Sequence, residues 1–333
     1  MAKIAINGFG RIGRSFFRAA HGLPGFEIVA VNDLTDAGTL AYLLKFDSVY
    51  GRYGRMVNAT EKAIVVDDLE IPVFAEKDPA KLPWAALGAD VVIEATGFFT
   101  SADKAKAHLD AGAKRVVITA PAKGDVVTAL VGVNDDRFAN AGPITANASC
   151  TTNSVAPVVA ILRESLGIAK ASMTTVHGYT ATQKLVDGPD AKDLRRGRAA
   201  AANIVPSTTG AAEAVIQAIP ELKGKFDAVA IRVPTIAGSL SIITALVERP
   251  TTAEEVNGIF EKAAADPRWS KTVKITDAPL VSTDIIGEPY GAIVDAGLTR
   301  VTDGNLVQVY SWYDNEAGYT ATLIEHVRRV AIA

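Results

Sequence analysis

A short apolar run at the amino terminus leads directly into three glycines with the spacing G-x-G-x-x-G. The run is Lys3 to Asn7, and the glycines are Gly8, Gly10 and Gly13. Between a strand and a helix, the first glycine permits the tight turn, the second lets the backbone approach a pyrophosphate, and the third allows close helix–strand packing. The start of the helix would then present backbone N–H groups to the anion. A glycine-rich turn without a ligand is the alternative interpretation.

An acidic residue favours the ligand-binding interpretation. Asp33 stands twenty residues after Gly13, at the end of the next predicted strand, Glu27 to Asn32. A carboxylate at this place accepts the ribose hydroxyls of a dinucleotide and repels a 2′-phosphate. The glycines and Asp33 together predict a dinucleotide site that favours NAD over NADP.

The first half of the chain alternates short β-branched runs with helical patterns. Besides the two strands above, the predicted strands and helices are Val91 to Ala95, Arg115 to Thr119, Ile12 to His21 and Ser101 to Ala111. This alternation predicts a mostly parallel sheet that helices cover on both faces. Two further apolar runs flank Asp67 and Asp68 and predict a hairpin, so we expect the sheet to be mixed.

The second half has longer strands and fewer helices. The predicted strands are Ala171 to Tyr179, Ala228 to Val233, Ser239 to Glu248, Ala292 to Leu298 and Leu306 to Tyr313, and the predicted helices are Glu213 to Ala218, Ala253 to Ala265 and one from about Ala317 to Val330. This pattern of long strands and few helices predicts a second domain of the α+β type with a mainly antiparallel sheet. We expect the second domain to begin near residues 148 to 153. The fold class is therefore α/β.

Composition and charge exclude several classes of protein. The 333 residues carry 34 Lys and Arg against 37 Asp and Glu, so the chain has no basic field for nucleic acid. Cys150 is the only cysteine, which excludes an internal disulfide and a four-thiolate metal site. We expect no metal. The sequence shows neither a signal peptide nor a membrane span, so we expect a cytoplasmic protein.

The single cysteine lies at a predicted helix start. Cys150 has Ser, Thr and Asn neighbours, and Pro157, which a first helical turn tolerates, places the start of the helix close to it. A helix N-terminus lowers the pKa of a thiol and populates the thiolate. The alternative is a buried structural cysteine, although its polar neighbours argue against an apolar pocket.

His177 is the candidate base among four histidines. It ends the predicted strand before a hydroxyl-rich loop, where catalytic groups are often displayed. A hydrogen-bonded structural histidine is the alternative.

Arginine side chains supply candidate phosphate ligands. Three lie in the run Leu194 to Arg198, and Arg232 is isolated on a predicted strand. The hydroxyl-rich segment Ser207 to Gly210 precedes a helical pattern and is able to hold an anion. A solvated face and an ordinary helix cap are the respective alternatives.

Six segments together resemble the phosphorylating glyceraldehyde-3-phosphate dehydrogenases. In order along the chain they are Ile6 to Arg14, Ala148 to Asn153, Thr174 to His177, Tyr179 to Lys184, Arg232 to Thr235 and Ser311 to Glu316. The resemblance implies an NAD-dependent oxidation of an aldehyde phosphate, glyceraldehyde 3-phosphate, coupled to inorganic phosphate in a homotetramer. It also implies a Rossmann-type NAD-binding domain over residues 1–149 and 316–333, with a returning C-terminal helix, and a catalytic domain over residues 150–315.

The resemblance further implies roles for individual residues. Cys150 matches the nucleophile and His177 the residue that activates it. The matching phosphate ligands are Thr180 and Arg232 for the substrate phosphate, and Ser149, Thr151, Thr209 and Gly210 for the attacking phosphate. Arg196, from the arginine run above, is a further candidate phosphate ligand. The matching cofactor contacts are Asn7, Gly8, Gly10, Arg11, Ile12, Gly13, Asp33, Thr119, the backbone of Lys77, and Asn315 for the nicotinamide carboxamide.

One segment departs from the family pattern. After Thr235 the family usually continues Pro-Asn-Val-Ser, whereas this chain has Ile236-Ala237-Gly238-Ser239, so the substrate preference stays open. The alternative functions are erythrose-4-phosphate dehydrogenase and an NAD-responsive binding protein without catalysis. A thiol hydrolase would leave the glycine motif and Asp33 unexplained.

Overall fold

The chain forms two compact units. A computed structural model describes residues 1–191 and 193–332, with side chains up to residue 331. The first unit comprises residues 1–129, 135–148 and those from 323 onwards, and the second comprises residues 130–134 and 149–322. Residues 130–134, 149 and 316–322 were expected in the first unit but group with the second.

The first unit is built from short strands and helices in alternation. Its strands are β1 Ala2–Asn7, β2 Phe26–Asn32, β3 Phe46–Asp47, β4 Gly51–Arg52, β5 Val57–Ala59, β6 Ala63–Val66, β7 Leu69–Phe74, β8 Val91–Glu94, β9 Arg115–Ile118, β10 Val127–Thr128 and β11 Ile144–Ala146. Its helices are α1 Arg11–Ala20, α2 Ala37–Lys45, α3 Trp84–Leu87, α4 Ala102–Asp110 and α5 Asp136–Ala139, with a 3₁₀ turn at Pro79–Lys81.

The main sheet of the first unit is mostly parallel, as predicted. Its order is β10-β11-β9-β8-β1-β2-β7-β6-β5, with parallel pairs from β10 to β7 and antiparallel pairs from β7 to β5. All positions of β8 are buried, because a central parallel strand is covered on both faces. The predicted hairpin is confirmed: Asp67 and Asp68 form its turn with φ of 49° and 68°, which suits a type I′ turn.

The second unit is built on longer strands. They are β12 Lys170–Gly178, β13 Val205–Ser207, β14 Phe226–Val233, β15 Ser239–Leu246, β16 Val273–Thr276, β17 Ala292–Asp295, β18 Arg300–Thr302 and β19 Leu306–Tyr313. The helices are α6 Cys150–Leu166, α7 Ala211–Ala218, α8 Ala253–Ala265 and α9 Ala317–Ile332, which continues into the first unit from residue 323. Short 3₁₀ turns occupy Leu194–Gly197, Ala200–Ala202, Pro220–Leu222 and Ala296–Leu298.

The sheet of the second unit is mainly antiparallel, which confirms the prediction. Its order is β13-β14-β12-β15-β19-β17-β16, and β18 pairs with β19. Buried and partly exposed positions alternate along β15 and along most of β19, as expected for strands with one covered face. Two pairs are parallel, β12 with β14 and β16 with β17.

Pro157 lies in the interior of α6 and not in its first turn, so that part of the prediction is wrong. The helix nevertheless begins at Cys150 as expected. Proline has no N–H to donate to the carbonyl of Asn153, and an interior proline costs a helix about 3 kcal/mol. Most residues of α6 are buried, and burial of a single large apolar side chain contributes about 1.5–3 kcal/mol. Tertiary packing therefore outweighs the local penalty.

Candidate functional site

The glycine motif forms the turn between β1 and α1. Gly8 has φ of +93°, and a Cβ there would lie 2.7 Å from the carbonyl carbon of Ala95. A Cβ at Gly13 would lie 2.1 Å from the carbonyl oxygen of Gly8, so both positions require glycine. Gly10 faces open space and caps α1 without a side-chain hydrogen bond, and the first turn holds no acidic residue. The positive end of this helix therefore suits an anion.

A cavity of about 530 Å³ lies at the carboxyl ends of the parallel strands β1, β2, β7 and β8. The strand order reverses between β1 and β8, which is where doubly wound sheets bind their ligands. The predicted cofactor residues that line this cavity are Asn7, Gly8, Gly10, Asp33 and Lys77. Sequence reasoning missed Asn32, Leu34, Glu76, Ala95, Thr96, Phe98 and Phe99, which also line it. Their shared signal was their place at or after the ends of parallel strands.

Asp33 is held against the glycine turn by two backbone hydrogen bonds. Its Oδ2 accepts from the N–H of Phe9 at 2.8 Å, and its Oδ1 accepts from the N–H of Thr35 at 3.0 Å. These bonds fix the carboxylate at the cavity wall. The cavity, the open face of Gly10 and this carboxylate together fit a dinucleotide with an unmodified ribose.

Other predicted cofactor residues lie around the cavity without lining it. Ile12 and Gly13 belong to the first turn of α1. The guanidinium of Arg11 forms an ion pair with Asp47. Thr119 follows β9, and its hydroxyl donates to the carbonyl of Glu94 at 3.1 Å.

In the second unit, Cys150 is the first residue of α6. Ser149 caps this helix, because its Oγ accepts from the N–H of Thr152 at 3.1 Å. The side chain of Asn153 donates to the carbonyl of Ser149 at 3.0 Å and fixes the same turn. The thiol is therefore at a helix N-terminus, as predicted.

His177 and Arg232 adjoin the thiol. The Sγ of Cys150 lies 3.4 Å from Nε2 of His177. On the other side of the ring, Nδ1 lies 2.6 Å from the carbonyl oxygen of Gly178 and 2.7 Å from Nη1 of Arg232. Nδ1 donates to Gly178 in one tautomer and accepts from Arg232 in the other, and it cannot do both at once.

Burial changes the pKa of both members of the Cys150–His177 pair. It raises the pKa of the thiol, and the nearby charge of Arg232 offsets only part of this rise, so the expected lowering is wrong. Burial, with the charge of Arg232 acting in the same direction, lowers the pKa of His177 to about 3. Transfer of the thiol proton to Nε2 leaves the net charge of the pair unchanged, so burial opposes this transfer less than ionisation of either group alone.

Two of the predicted phosphate ligands, Arg196 and Thr180, are connected through the hydroxyl of Thr182, and a third is Arg232. Burial lowers the pKa of Arg232, and the like charge of Arg196 adds a smaller effect in the same direction. Arg196 donates to the hydroxyl of Thr182 at 2.6 Å, and that hydroxyl lies 3.1 Å from the hydroxyl of Thr180. Guanidinium and hydroxyl groups are the donors that suit a phosphate. Arg198 instead pairs with exposed Asp187.

Thr151 contacts a buried tyrosine that sequence reasoning did not single out. The hydroxyl of Tyr313 lies 2.9 Å from Oγ1 of Thr151 and 2.8 Å from Oγ1 of Thr175. Its ring meets the ring of His177 edge-on at 5.9 Å. Burial raises the pKa of Tyr313, so it remains a neutral hydroxyl that packs against the His177 ring. The conspicuous Trp-Tyr-Asp-Asn-Glu segment was the available signal.

The last two predicted phosphate ligands lie at the start of α7. Thr209 accepts the N–H of Ala211 at 3.2 Å, and Gly210 caps the helix with open space where a Cβ would be. No described hydrogen bond joins either residue to Cys150.

The segment that departs from the family pattern connects Asn315 to the strand that bears His177. Gly238 has φ of +88°, and a Cβ there would lie 2.7 Å from the carbonyl oxygen of Ser282. Its N–H donates to Oδ1 of Asn315 at 3.0 Å, and its carbonyl accepts from the N–H of Gly178 at 3.3 Å. The glycine therefore fixes the orientation of the Asn315 amide within the second unit.

Comparison with known proteins agrees with this geometry. Residues 2–102 match the family model described as glyceraldehyde 3-phosphate dehydrogenase, NAD binding domain, and residues 149–315 match its C-terminal domain. The glyceraldehyde-3-phosphate dehydrogenase of Thermotoga maritima is 53% identical over 327 residues, which cover 98% of each chain. Those of Mycobacterium avium and Geobacillus stearothermophilus are 50% and 49% identical over 98% or more of each chain. The chain therefore belongs to the glyceraldehyde-3-phosphate dehydrogenase family of oxidoreductases, and its cofactor is NAD.

Proposed function

We propose that this protein oxidises glyceraldehyde 3-phosphate with NAD and inorganic phosphate to 1,3-bisphosphoglycerate, in glycolysis and gluconeogenesis, through a thioester on Cys150. The observation that carries the proposal is the 3.4 Å separation of the Cys150 thiol and the His177 imidazole, with Arg232 beside them. A nucleophile, a base and a phosphate ligand in one place are what this reaction requires.

The first step forms a carbon–sulfur bond. Sγ of Cys150 attacks the aldehyde carbon while Nε2 of His177 accepts the thiol proton. The substrate oxygen gains the negative charge, which the Cys150 N–H at the start of α6 and the newly protonated His177 stabilise. For His177 to act as the base, Nδ1–H must donate to Gly178, so Arg232 must turn away from Nδ1. An anionic phosphate on Arg232 favours that movement.

The second step oxidises the bound carbon, and a third step transfers the resulting acyl group to phosphate. His177 returns its proton to the substrate oxygen and takes it up again as the carbon loses a hydride and becomes a thioester of Cys150. NAD, when bound, supplies the hydride acceptor. Phosphate oxygen then attacks the thioester carbon, and the thiolate of Cys150 leaves. Ser149, Thr151, Thr209 and Gly210 are the proposed ligands of that attacking phosphate.

The two units have separate roles in this proposal. The first unit is the NAD-binding domain, in which the N-terminus of α1 with Arg11 and Ile12 receives the pyrophosphate and Asp33 accepts the ribose hydroxyls. Lys77 and Thr119 contribute further contacts. The second unit is the catalytic domain, where Asn315 presents its amide to the nicotinamide carboxamide.

We also propose that the protein is a cytoplasmic homotetramer. No helix of the described residues is long and apolar enough to cross a membrane. Four apolar side chains between residues 185 and 204 are more than 70% exposed in the single chain, namely Leu185, Val186, Leu194 and Ile204. Exposed apolar side chains concentrated in one segment are typical of a subunit interface.

An assay of NADH formation tests the proposed reaction. Turnover of glyceraldehyde 3-phosphate should depend on inorganic phosphate and exceed turnover of erythrose 4-phosphate. Faster turnover of erythrose 4-phosphate would assign that sugar phosphate as the substrate instead. Sustained NADH formation without phosphate would refute the acyl-phosphate step. A chain that binds NAD without any turnover would be a binding protein.

A further inference from the structure

A buried carboxylate lies directly behind the wall of the cofactor cavity. In the sheet register, Asn7 at the end of β1 pairs with Asn32 on one side and with Glu94 on the other. All three side chains are buried, but Asn7 and Asn32 line the cavity, whereas Glu94, which is 1% exposed, does not. A carboxylate buried to this extent needs hydrogen bonds to offset its lost hydration.

Glu94 accepts four hydrogen bonds from the described residues. Its Oε2 accepts from the side-chain amide of Asn7 at 2.6 Å and from Nε2 of His108 at 3.1 Å. Its Oε1 accepts from the N–H of Thr96 at 2.9 Å and from the hydroxyl of Thr96. The carboxylate thus connects two parts of the cavity wall, Asn7 after β1 and Thr96 after β8.

Trp84 determines which nitrogen of His108 carries the proton. The indole Nε1–H of Trp84 donates to Nδ1 of His108 at 3.0 Å, and an indole N–H can only donate. Nδ1 is therefore an acceptor, and the ring proton is on Nε2, where it faces Glu94. His108 is fully buried between Trp84 and the edge of Phe99, which lines the cavity.

The hydrogen bonds extend from Glu94 through Asn7 to Asn32, and backbone groups of Glu76 fix the side chain of Asn32. Asn32 accepts the N–H of Glu76 at 2.9 Å and donates to the carbonyl of Glu76 at 2.9 Å. Its amide also donates to Oδ1 of Asn7 at 2.7 Å, so Asn7 must direct its own amide N–H at Glu94. Neither asparagine can reverse its orientation without breaking these bonds. Glu76 precedes Lys77, whose backbone is a proposed cofactor contact.

We propose that Glu94 and His108 are positioning residues for NAD: together they hold the amide of Asn7, the Glu76–Lys77 backbone and Thr96 in the arrangement that binds the cofactor. Asn7 and His108 donate to one oxygen of Glu94 and Thr96 donates to the other. Only a group that accepts on both oxygen atoms satisfies all of these donors. The inference rests on the proposed NAD site in the first unit.

Replacement of the acceptor tests the inference. In Glu94→Gln one acceptor oxygen becomes an NH₂ group, which faces donors in either orientation of the amide. Because unsatisfied buried donors are costly, the reorganised wall should raise the Kd for NAD about 10-fold, measured by calorimetry. The kcat at saturating NAD should fall less than the Kd rises. Asp90→Asn is the matched control, since it removes a carboxylate that precedes the same strand and binds Lys114 and Lys3 outside the cavity.

Conservative rescue separates positioning from general stability. His108→Gln keeps an amide N–H for Glu94 and should keep a lower Kd for NAD than His108→Leu, which offers no donor. Equal NAD affinity in wild type, Glu94→Gln and His108→Leu would overturn the inference. If Asp33→Ala also left the Kd for NAD unchanged, the proposed cofactor site itself would be refuted. If Asp33→Ala raised this Kd but Glu94→Gln did not, only the role of Glu94 would be refuted.

The wild-type protein provides a test that does not depend on how the variants fold. In ¹⁵N NMR spectra of histidine-labelled protein, His108 should be a neutral ring with its proton on Nε2. A cationic His108, or one protonated on Nδ1, would contradict the donor arrangement on which the inference depends.

Discussion

His177 and Arg232 lie opposite each other in the parallel register of β12 and β14, and this pairing brings a guanidinium to 2.7 Å from the imidazole Nδ1. The residue proposed as the base and the residue proposed to bind the substrate phosphate are therefore in direct contact. In the proposed mechanism this contact matters because Nδ1 accepts from Arg232 only in the tautomer that carries its proton on Nε2, and in that tautomer Nε2 cannot accept the thiol proton.

Loss of Arg232 should weaken binding of phosphorylated substrate selectively. A hydrogen bond to a charged group contributes about 1.5–3 kcal/mol, so Arg232→Ala should raise KM for glyceraldehyde 3-phosphate about 10- to 150-fold more than KM for unphosphorylated glyceraldehyde. Steady-state assays with both aldehydes measure this difference. Arg198→Ala is the matched control, because Arg198 is exposed and pairs with Asp187.

Equal losses toward both aldehydes would make Arg232 a structural partner of His177. A selective rise in KM for inorganic phosphate would assign it to the attacking phosphate instead.

Asp33 should control the choice between NAD and NADP. Its carboxylate is held at the cavity wall by the N–H groups of Phe9 and Thr35, so its charge cannot move away from a 2′-phosphate. Asp33→Ala should weaken NAD binding and narrow the ratio of NAD to NADP affinity about tenfold, since the variant removes one unfavourable charge contact. Calorimetry with both cofactors measures the ratio. Asp36→Ala, which only uncaps α2, should leave it unchanged; an unchanged ratio in Asp33→Ala contradicts the assignment.

The sequence predicted the sheets better than the site. Alternation and glycine spacing are local signals, so β1, α1 and the hairpin at Asp67 and Asp68 were predicted within a residue or two. Helix α2 was missed, although Asp36 caps it and its buried residues Ala37, Leu40, Ala41 and Leu44 have helical spacing. The segment Ala292 to Leu298 was predicted as one strand, but β17 ends at Asp295 and a 3₁₀ turn follows.

The contacts of the site depend on pairings between distant segments. His177 meets Arg232 only because β12 pairs with β14, and nothing near either residue in the sequence specifies that register. The predicted lowering of the Cys150 pKa was wrong for a similar reason. The helix N-terminus is a local feature that favours the thiolate, whereas the burial that opposes it is produced by the whole second unit.

Two buried histidines should reduce stability in acid. Burial lowers the pKa of His177 and of His326 from 6.5 to about 3 in the folded protein. The unfolded chain therefore binds more protons between pH about 6.5 and 3, so the free energy of unfolding falls as pH falls through this range. Each histidine contributes a slope of about 1.4 kcal/mol per pH unit.

His326→Gln should remove one of these contributions. His326 donates to the carbonyl of Ala129 and accepts from the hydroxyl of Thr145, and glutamine offers the same donor and acceptor without titrating. Denaturant unfolding at several pH values should give a slope smaller by about 1.4 kcal/mol per pH unit than in the wild type. The carboxylates contribute equally to both proteins. An unchanged slope would show that His326 is accessible to protons in the folded state.

The exposed apolar side chains between residues 185 and 204 should mediate assembly. Leu194 is 85% exposed in the single chain, and a charge there would be buried on association. Leu194→Asp should shift the mass measured by light scattering from that of a tetramer towards smaller species, because a buried unpaired charge is strongly unfavourable. Lys223→Asp, on an exposed residue outside this segment, is the control. A monomeric wild type would refute the homotetramer.

The most direct test of the central proposal is to look for the acylated cysteine. The protein is mixed with NAD and glyceraldehyde 3-phosphate without inorganic phosphate, quenched in acid, and digested for mass spectrometry. We expect NADH formation to stop at an amount equal to the amount of protein chains, with a phosphoglyceroyl group on the peptide that contains Cys150, and phosphate should release that group and restore turnover. Continued NADH formation without phosphate, with an unmodified Cys150 peptide, would contradict the proposal.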